Sequence, residues 1–293
     1  MGRILVLFAV YFPWPGSNAL YFSSRQSDAS EPVLTAMNNK PLDLWCACPD
    51  DLLSQPVAAA CAALLSEDEQ ARWKRFRFAR HAREFLATRA LVRTALSHYH
   101  PIAPEAWRFQ VNAHGKPAVE PACGLRFNLS NSPGLVVCLI SQGAEVGVDV
   151  EPCERAEKIA ALAPDVFSPR ELAQLEALHG PERADRALSL WTLKEAYIKA
   201  RGLGLSLPLD RFSFLFGGAE GIHLDPDLGD QAGRWRFCLL DHANHRIALM
   251  AAQPAAPVLQ IWESRLFSAP PQQLPGGGET WFPRVHQVSV SPA

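Results

Sequence analysis

The order of strand-like and helix-like stretches constrains this chain more than any other feature. Strand-length apolar segments fit Trp107 to Val111, Leu125 to Leu129, Leu135 to Ser141 and Glu145 to Glu151, then Phe212 to Phe216, Trp235 to Leu240 and Ile247 to Ala252. A first strand fits the alternation of Leu44, Cys46 and Cys48 with Asp43, Trp45 and Ala47. Helical patterns fall between these clusters. Two helices are expected from about 67 to 99, the first opened by a capping box of Ser66 with Glu69 and the second running from Ala79 to His98. Ser168 and Pro169 open another, to Leu178. The longest is expected from Glu182 to Arg201, stopped by Gly202. Strands and helices do not alternate as βαβ units, so a doubly wound parallel sheet is excluded. The expected class is α+β: two similar halves related by a pseudo-twofold, each an antiparallel sheet packed on a main helix.

The halves are expected at 42–141 and 142–265, with an unpatterned extension at 1–41 and a disordered tail at 266–293, where Pro-Pro-Gln-Gln and three consecutive glycines occur. The apolar run Ile4 to Phe12 is too short to span a bilayer. It reads either as a weak signal segment or as residue left by a start placed upstream of Met37. A net charge of −2 creates no field that would recruit nucleic acid or membrane. Seven cysteines include no C-x-x-C pair, which argues against a zinc knuckle or redox motif and for thiols in a reducing cytoplasm.

Two stretches carry chemistry. In Val146-Gly147-Val148-Asp149-Val150-Glu151 the valines share one face of a strand. Gly147, Asp149 and Glu151 share the other, with the carboxylates about 7 Å apart. On its own this is equally an amphipathic strand with a solvated face. In Trp191-Thr192-Leu193-Lys194-Glu195-Ala196-Tyr197-Ile198-Lys199, positions 191, 195 and 199 form one helical stripe. Glu195 and Lys199 could be a plain surface ion pair, but a carboxylate beside Trp191 on a packing face requires a partner. Taken together, Asp149, Glu151 and Glu195 are hard oxygen ligands suited to Mg²⁺, which typically bridges a few carboxylates to substrate phosphates.

The sequence G-V-D-V-E, followed about forty residues later by W-T-L-K-E-A-Y-I-K, resembles the paired signature of the 4′-phosphopantetheinyl transferases. Gly115-Lys116-Pro117, Phe127-Asn128-Leu129-Ser130 and Gly202-Leu203-Gly204-Leu205-Ser206-Leu207-Pro208-Leu209 are similar to its Sfp-type branch. The five motifs follow in order over residues 43–265. The resemblance implies transfer of the phosphopantetheine arm of coenzyme A to a serine of an apo acyl or peptidyl carrier protein, with release of 3′,5′-ADP. It implies that Asp149, Glu151 and Glu195 hold Mg²⁺, that Glu195 also serves as base, and that Lys199 contacts phosphate. It further implies coenzyme A contacts from Arg72, Arg83, Lys116, Ser130 and Asn131. Asn131 stands where the family usually has histidine, and asparagine can donate a hydrogen bond but carries no charge. A cytoplasmic monomer that binds neither nucleic acid nor membrane is expected.

Two other readings compete. The same acids could serve an Mg²⁺-dependent phosphohydrolase. The basic run Arg72, Lys74, Arg75, Arg77, Arg80, Arg83, Arg89 and Arg93 could instead mark a catalytically silent module for RNA or an acidic partner.

Overall fold

The computed structural model describes residues 41–216, 221–253 and 259–265, together with short strands at 272–273, 279–280 and 284–287. The extension expected at 1–41 lies outside the described residues except for its last position, and so does most of the tail.

The first half opens with strand β1 (Leu42–Ala47), followed by helices α1 (Gln55–Ala63), α2 (Glu67–Trp73) and α3 (Ala79–Ser97). A short hairpin, β2 (Arg108–Val111) and β3 (Pro117–Glu120), leads into a long one, β4 (Leu125–Ser132) and β5 (Leu135–Gln142). The second half repeats this plan. Strand β6 (Val146–Pro152) leads into helices α4 (Ala156–Ala161), α5 (Ala163–Val166), α6 (Pro169–Glu176) and α7 (Gly180–Arg201). The short hairpin is β7 (Phe212–Leu215) with β8 (Gly221–Leu224), and the long one is β9 (Trp235–His242) with β10 (His245–Ala252). In both halves the last strand pairs antiparallel with the first, giving the orders β1-β5-β4 and β6-β10-β9.

The capping box expected at Ser66 is present. The Ser66 hydroxyl accepts from the Glu69 amide at 3.3 Å while the Glu69 carboxylate accepts from the Ser66 amide at 3.0 Å. Ser168 and Glu171 repeat the device at α6. Helix α7 ends on Gly202, whose φ of +63° is the left-handed conformation that glycine adopts at least cost.

Four layers result. Leu42, Leu44 and Cys46 of β1 and Val137 and Leu139 of β5 meet Val146, Val148 and Val150 of β6 and Ile247 and Leu249 of β10 in one apolar seam between the two sheets. The outer face of β1 packs Trp45 and Ala47 toward α3, and the outer face of the second sheet packs Ala248 and Met250 toward α7. The strand carrying Asp149 is therefore not half solvated. All seven residues of β6 are buried, because α7 covers the face that an amphipathic reading would leave to water.

The division at 142 needs one amendment. Strand β11 (Leu259–Arg265) returns to the first sheet and pairs parallel with β1, leaving that sheet not purely antiparallel. Trp262 anchors it, stacking on Trp45 with ring centroids 5.2 Å apart and donating its indole N–H to Asp43 Oδ1 at 3.0 Å. Within the region read as a disordered tail, β12 (Gln272–Gln273) pairs with β13 (Glu279–Thr280), and β14 (Arg284–Gln287) pairs antiparallel with β11.

Candidate active site

The repeat makes the two halves comparable residue by residue. Asp43 lies opposite Ile140, the sixth residue of β5, and Gly147 lies opposite Met250, the sixth residue of β10. Trp45 thus occupies in the first half the place of Asp149 in the second, and Ala47 that of Glu151. One half keeps an apolar core at positions where the other carries acids.

Strand β6 bonds to β10 along one edge only. At its other edge the first half supplies side chains instead of a strand. Asn128 Oδ1 accepts from the Val148 amide at 2.9 Å, and Ser130 Oγ accepts from the Val150 amide at 3.3 Å. The F-N-L-S stretch therefore satisfies backbone donors that would otherwise be buried without partners. It also brings Ser130 to Asp149, whose Oδ1 accepts from the Ser130 hydroxyl at 3.0 Å.

Helix α7 closes the cluster. Lys199 Nζ lies 2.6 Å from Asp149 Oδ1 and 2.8 Å from Ser130 Oγ. Trp191 Nε1 donates to Glu151 Oε1 at 2.9 Å, and Arg155 pairs with Glu151 Oε2. Trp191, Glu195 and Lys199 are the half-buried stripe of a helix whose neighbouring positions are mostly buried. Burial, then the nearby charge of Asp149 and more weakly that of Glu151, hold the Glu195 carboxyl above the usual range, with Lys199 opposing. Ser130, Asp149, Glu151, Glu195 and Lys199 are thus brought to one place at the seam of the two halves.

The donor set suits Mg²⁺. Asp149 Oδ2 is buried and has no hydrogen-bond partner. Glu195 has none among the described residues either. Both are hard oxygen donors left open for a cation. Among the described residues no three acid, histidine or cysteine side chains stand together closely enough to hold a metal ion by themselves.

The remaining expected contacts lie elsewhere. Lys116 directs its ammonium inward, 2.7 Å from the Ala200 carbonyl, 3.1 Å from that of Val146 and 3.4 Å from Glu145. With Asn112, which donates to the Gly202 carbonyl at 2.8 Å, it ties the β2–β3 turn to the C-terminal end of α7. A lysine amine there complements the unpaired carbonyls of the helix end. Asn131 is exposed on β4, one residue beyond Ser130, and so projects to the opposite face. Arg72 is exposed on α2 over the Phe85 ring, and Arg83 lies 3.7 Å from Asp50. The basic run is not one solvated face. Arg93 is buried, bonded to Glu69 at 2.6 Å and to the carbonyls of Pro104 and Trp107.

Sequence reading also missed a buried device within the helix motif. Lys194 and Glu171 are both fully buried, 2.7 Å apart, and Lys194 donates to the carbonyls of Leu209 and Phe212. Its spacing from Leu190 and Ile198 along the apolar stripe is the signal that could have disclosed it. Trp191 as a donor to Glu151, and Arg155, were not anticipated either.

A carboxyl whose pKa is raised by folding has its charged form disfavoured in the native state. Stability then falls as pH rises above the unfolded carboxyl value. Glu195→Gln is accordingly expected to melt higher than the parent near pH 8, by on the order of 2–4 °C, and to match it near pH 4. Thermal melts at both pH values without divalent cations check this; a lower melting point at pH 8 would contradict it.

The model described as the 4′-phosphopantetheinyl transferase superfamily matches residues 145–250, and that described as 4′-phosphopantetheinyl transferase, N-terminal, matches residues 54–143. The putative 4′-phosphopantetheinyl transferase slr0495 of Synechocystis sp. is 32% identical over 192 residues, covering 65% of this chain and 76% of that protein. 4′-Phosphopantetheinyl transferase Sfp of Bacillus subtilis is 31% identical over 164 residues, 56% of this chain and 72% of that protein. HetI of Nostoc sp. is 36% identical over 148 residues, half of this chain, and the match spans 62% of HetI's own length. Identity and coverage of this order, joined to two adjoining family matches, place the chain in the 4′-phosphopantetheinyl transferase superfamily.

Proposed function

We propose that this protein transfers the 4′-phosphopantetheine group of coenzyme A to a serine hydroxyl of an apo acyl or peptidyl carrier protein, with Mg²⁺ and with release of 3′,5′-ADP. The observation that carries this reading is the acid cluster at the seam. Asp149 Oδ2 and Glu195 stand unpartnered beside Lys199, on the strand and helix that bear the family signature. Asp149 and Glu195 would hold the ion, with Glu151 as a third ligand. Mg²⁺ there supplies charge neutralisation of the diphosphate during displacement at phosphorus.

The side chains divide the remaining work. Glu195 is the proposed base that takes the proton of the carrier serine. The serine oxygen forms the new bond to the β-phosphorus of coenzyme A as the bond to the departing 3′,5′-ADP breaks. Lys199 places a positive charge beside that exchange, in a geometry set by Asp149 and Ser130. Because the base must be ionised, transfer is expected to fall at acid pH. Arg72 and Arg83, on the first half, are the proposed contacts to the remaining coenzyme A phosphate. Lys116, engaged internally without the ligand, and the exposed Asn131 remain proposed contacts to coenzyme A.

The test is to incubate the purified protein with coenzyme A, Mg²⁺ and a panel of apo carrier proteins and weigh the carriers. A carrier that gains one phosphopantetheine, with 3′,5′-ADP appearing only when carrier is present, supports the reading. Release of 3′,5′-ADP without carrier would favour the phosphohydrolase.

A further inference from the structure

Glu151 differs from the other two acids in having both carboxylate oxygens engaged. Oε1 accepts from the Trp191 indole, and Oε2 is paired with Arg155. Arg155 lies four residues on, in the short helical turn Cys153–Arg155 that closes β6. Its side chain is 39% exposed, whereas that of Glu151 is 10% exposed. A guanidinium therefore covers a buried carboxylate oxygen from the solvent side. Asp149 is engaged only at Oδ1 and Glu195 at neither oxygen.

We propose that Arg155 is a resident counter-ion of Glu151, which a divalent cation displaces when it recruits Glu151, so that Arg155 sets the metal affinity of the site. This rests on reading the acid cluster as a metal site. Asp149 Oδ2 and Glu195 are the entry ligands, since no donor has to leave them. Glu151 joins only at the cost of its arginine, because a guanidinium and a divalent cation at one oxygen repel each other. Trp191 keeps Oε1 in place through the exchange, and its neutral N–H adds no charge. The position of Arg155 on a turn outside the regular strand lets it swing away without breaking a ladder hydrogen bond. Arg155 is thus a positioning residue with two opposed effects: it steadies Glu151 in the absence of the ion and weakens binding of the ion.

The experiment measures Mn²⁺ dissociation constants by electron paramagnetic resonance on the full chain without coenzyme A, alongside melting points with and without Mn²⁺. The proteins are the parent, Arg155→Gln, Glu151→Gln, the double variant and Asp149→Asn. Arg155→Gln is expected to bind Mn²⁺ roughly two- to five-fold more tightly, the worth of a partly exposed ion pair. It is also expected to melt lower without Mn²⁺ and to gain more from Mn²⁺ than the parent does. In the Glu151→Gln background the same change should have no effect on affinity. Unchanged or weaker binding by Arg155→Gln would overturn the proposal, as would equal tightening in the Glu151→Gln background, which would mean a diffuse charge effect. If Asp149→Asn fails to weaken Mn²⁺ binding, the metal reading itself falls. If Asp149→Asn weakens it while Arg155→Gln does nothing, only the counter-ion proposal falls.

Discussion

Asp149→Asn is expected to remove transfer activity by roughly 10²–10³-fold or more while leaving the fold in place. The side chain is nearly isosteric, so the apolar seam around Val148 and Val150 is not disturbed. What changes is charge. Lys199 loses the anion 2.6 Å from its ammonium, and the buried Oδ2 position loses its anionic character or becomes an amide donor. Either outcome leaves diphosphate charge uncompensated at the displacement step of the proposed reaction. Initial rates of carrier modification at saturating coenzyme A and Mg²⁺, with circular dichroism to confirm folding, check this. A rate within a few-fold of the parent would remove Asp149 from the chemistry.

The second large effect is structural. Gly147→Ala would place a Cβ 2.0 Å from the Ala196 carbonyl oxygen, 2.5 Å from the Ala200 amide nitrogen and 2.8 Å from the Ala200 Cβ. Two of these atoms are helix backbone, which cannot rotate away as a side-chain tip can. Helix α7 would have to lift from β6, opening the core around Ala196 and Ala200. A loss of about 3 kcal/mol or more is expected, at the upper end of overpacking costs. Because Glu195 and Lys199 lie on the part of α7 that would move, any folded fraction should also lose activity. Gly143→Ala is the control. Its φ is +105° but its Cβ would meet nothing within 4 Å, so it carries backbone strain without the clash. Equal melting points for the two variants would contradict the close-approach argument.

Local pattern was enough to determine much of this protein. Alternation and caps located the strands that form the long hairpins and both main helices, though not their pairing. The 3.6-residue period put Trp191, Glu195 and Lys199 on one stripe, and the two-residue period put Asp149 and Glu151 on one face. These are properties of neighbours along the chain, which the backbone geometry alone enforces. Glycine 147 was legible only as a member of a motif, since its reason is the backbone of a helix about fifty residues away.

Tertiary structure alone decided whether the polar face of β6 met water or a helix, because that depends on where α7 lands. It also decided the fate of charges whose sequence context was misleading. Lys194 lies beside Glu195 in sequence, yet about 100° further round the helix it is buried against Glu171. Lys116 turns inward because the carbonyls of Ala200 and Val146 come within reach only after the halves pack together. Ser130 reaches Asp149 from the other half because β6 presents a free edge there. Long-range partners of this kind follow from which surfaces the apolar seam forces together, and no local period encodes them.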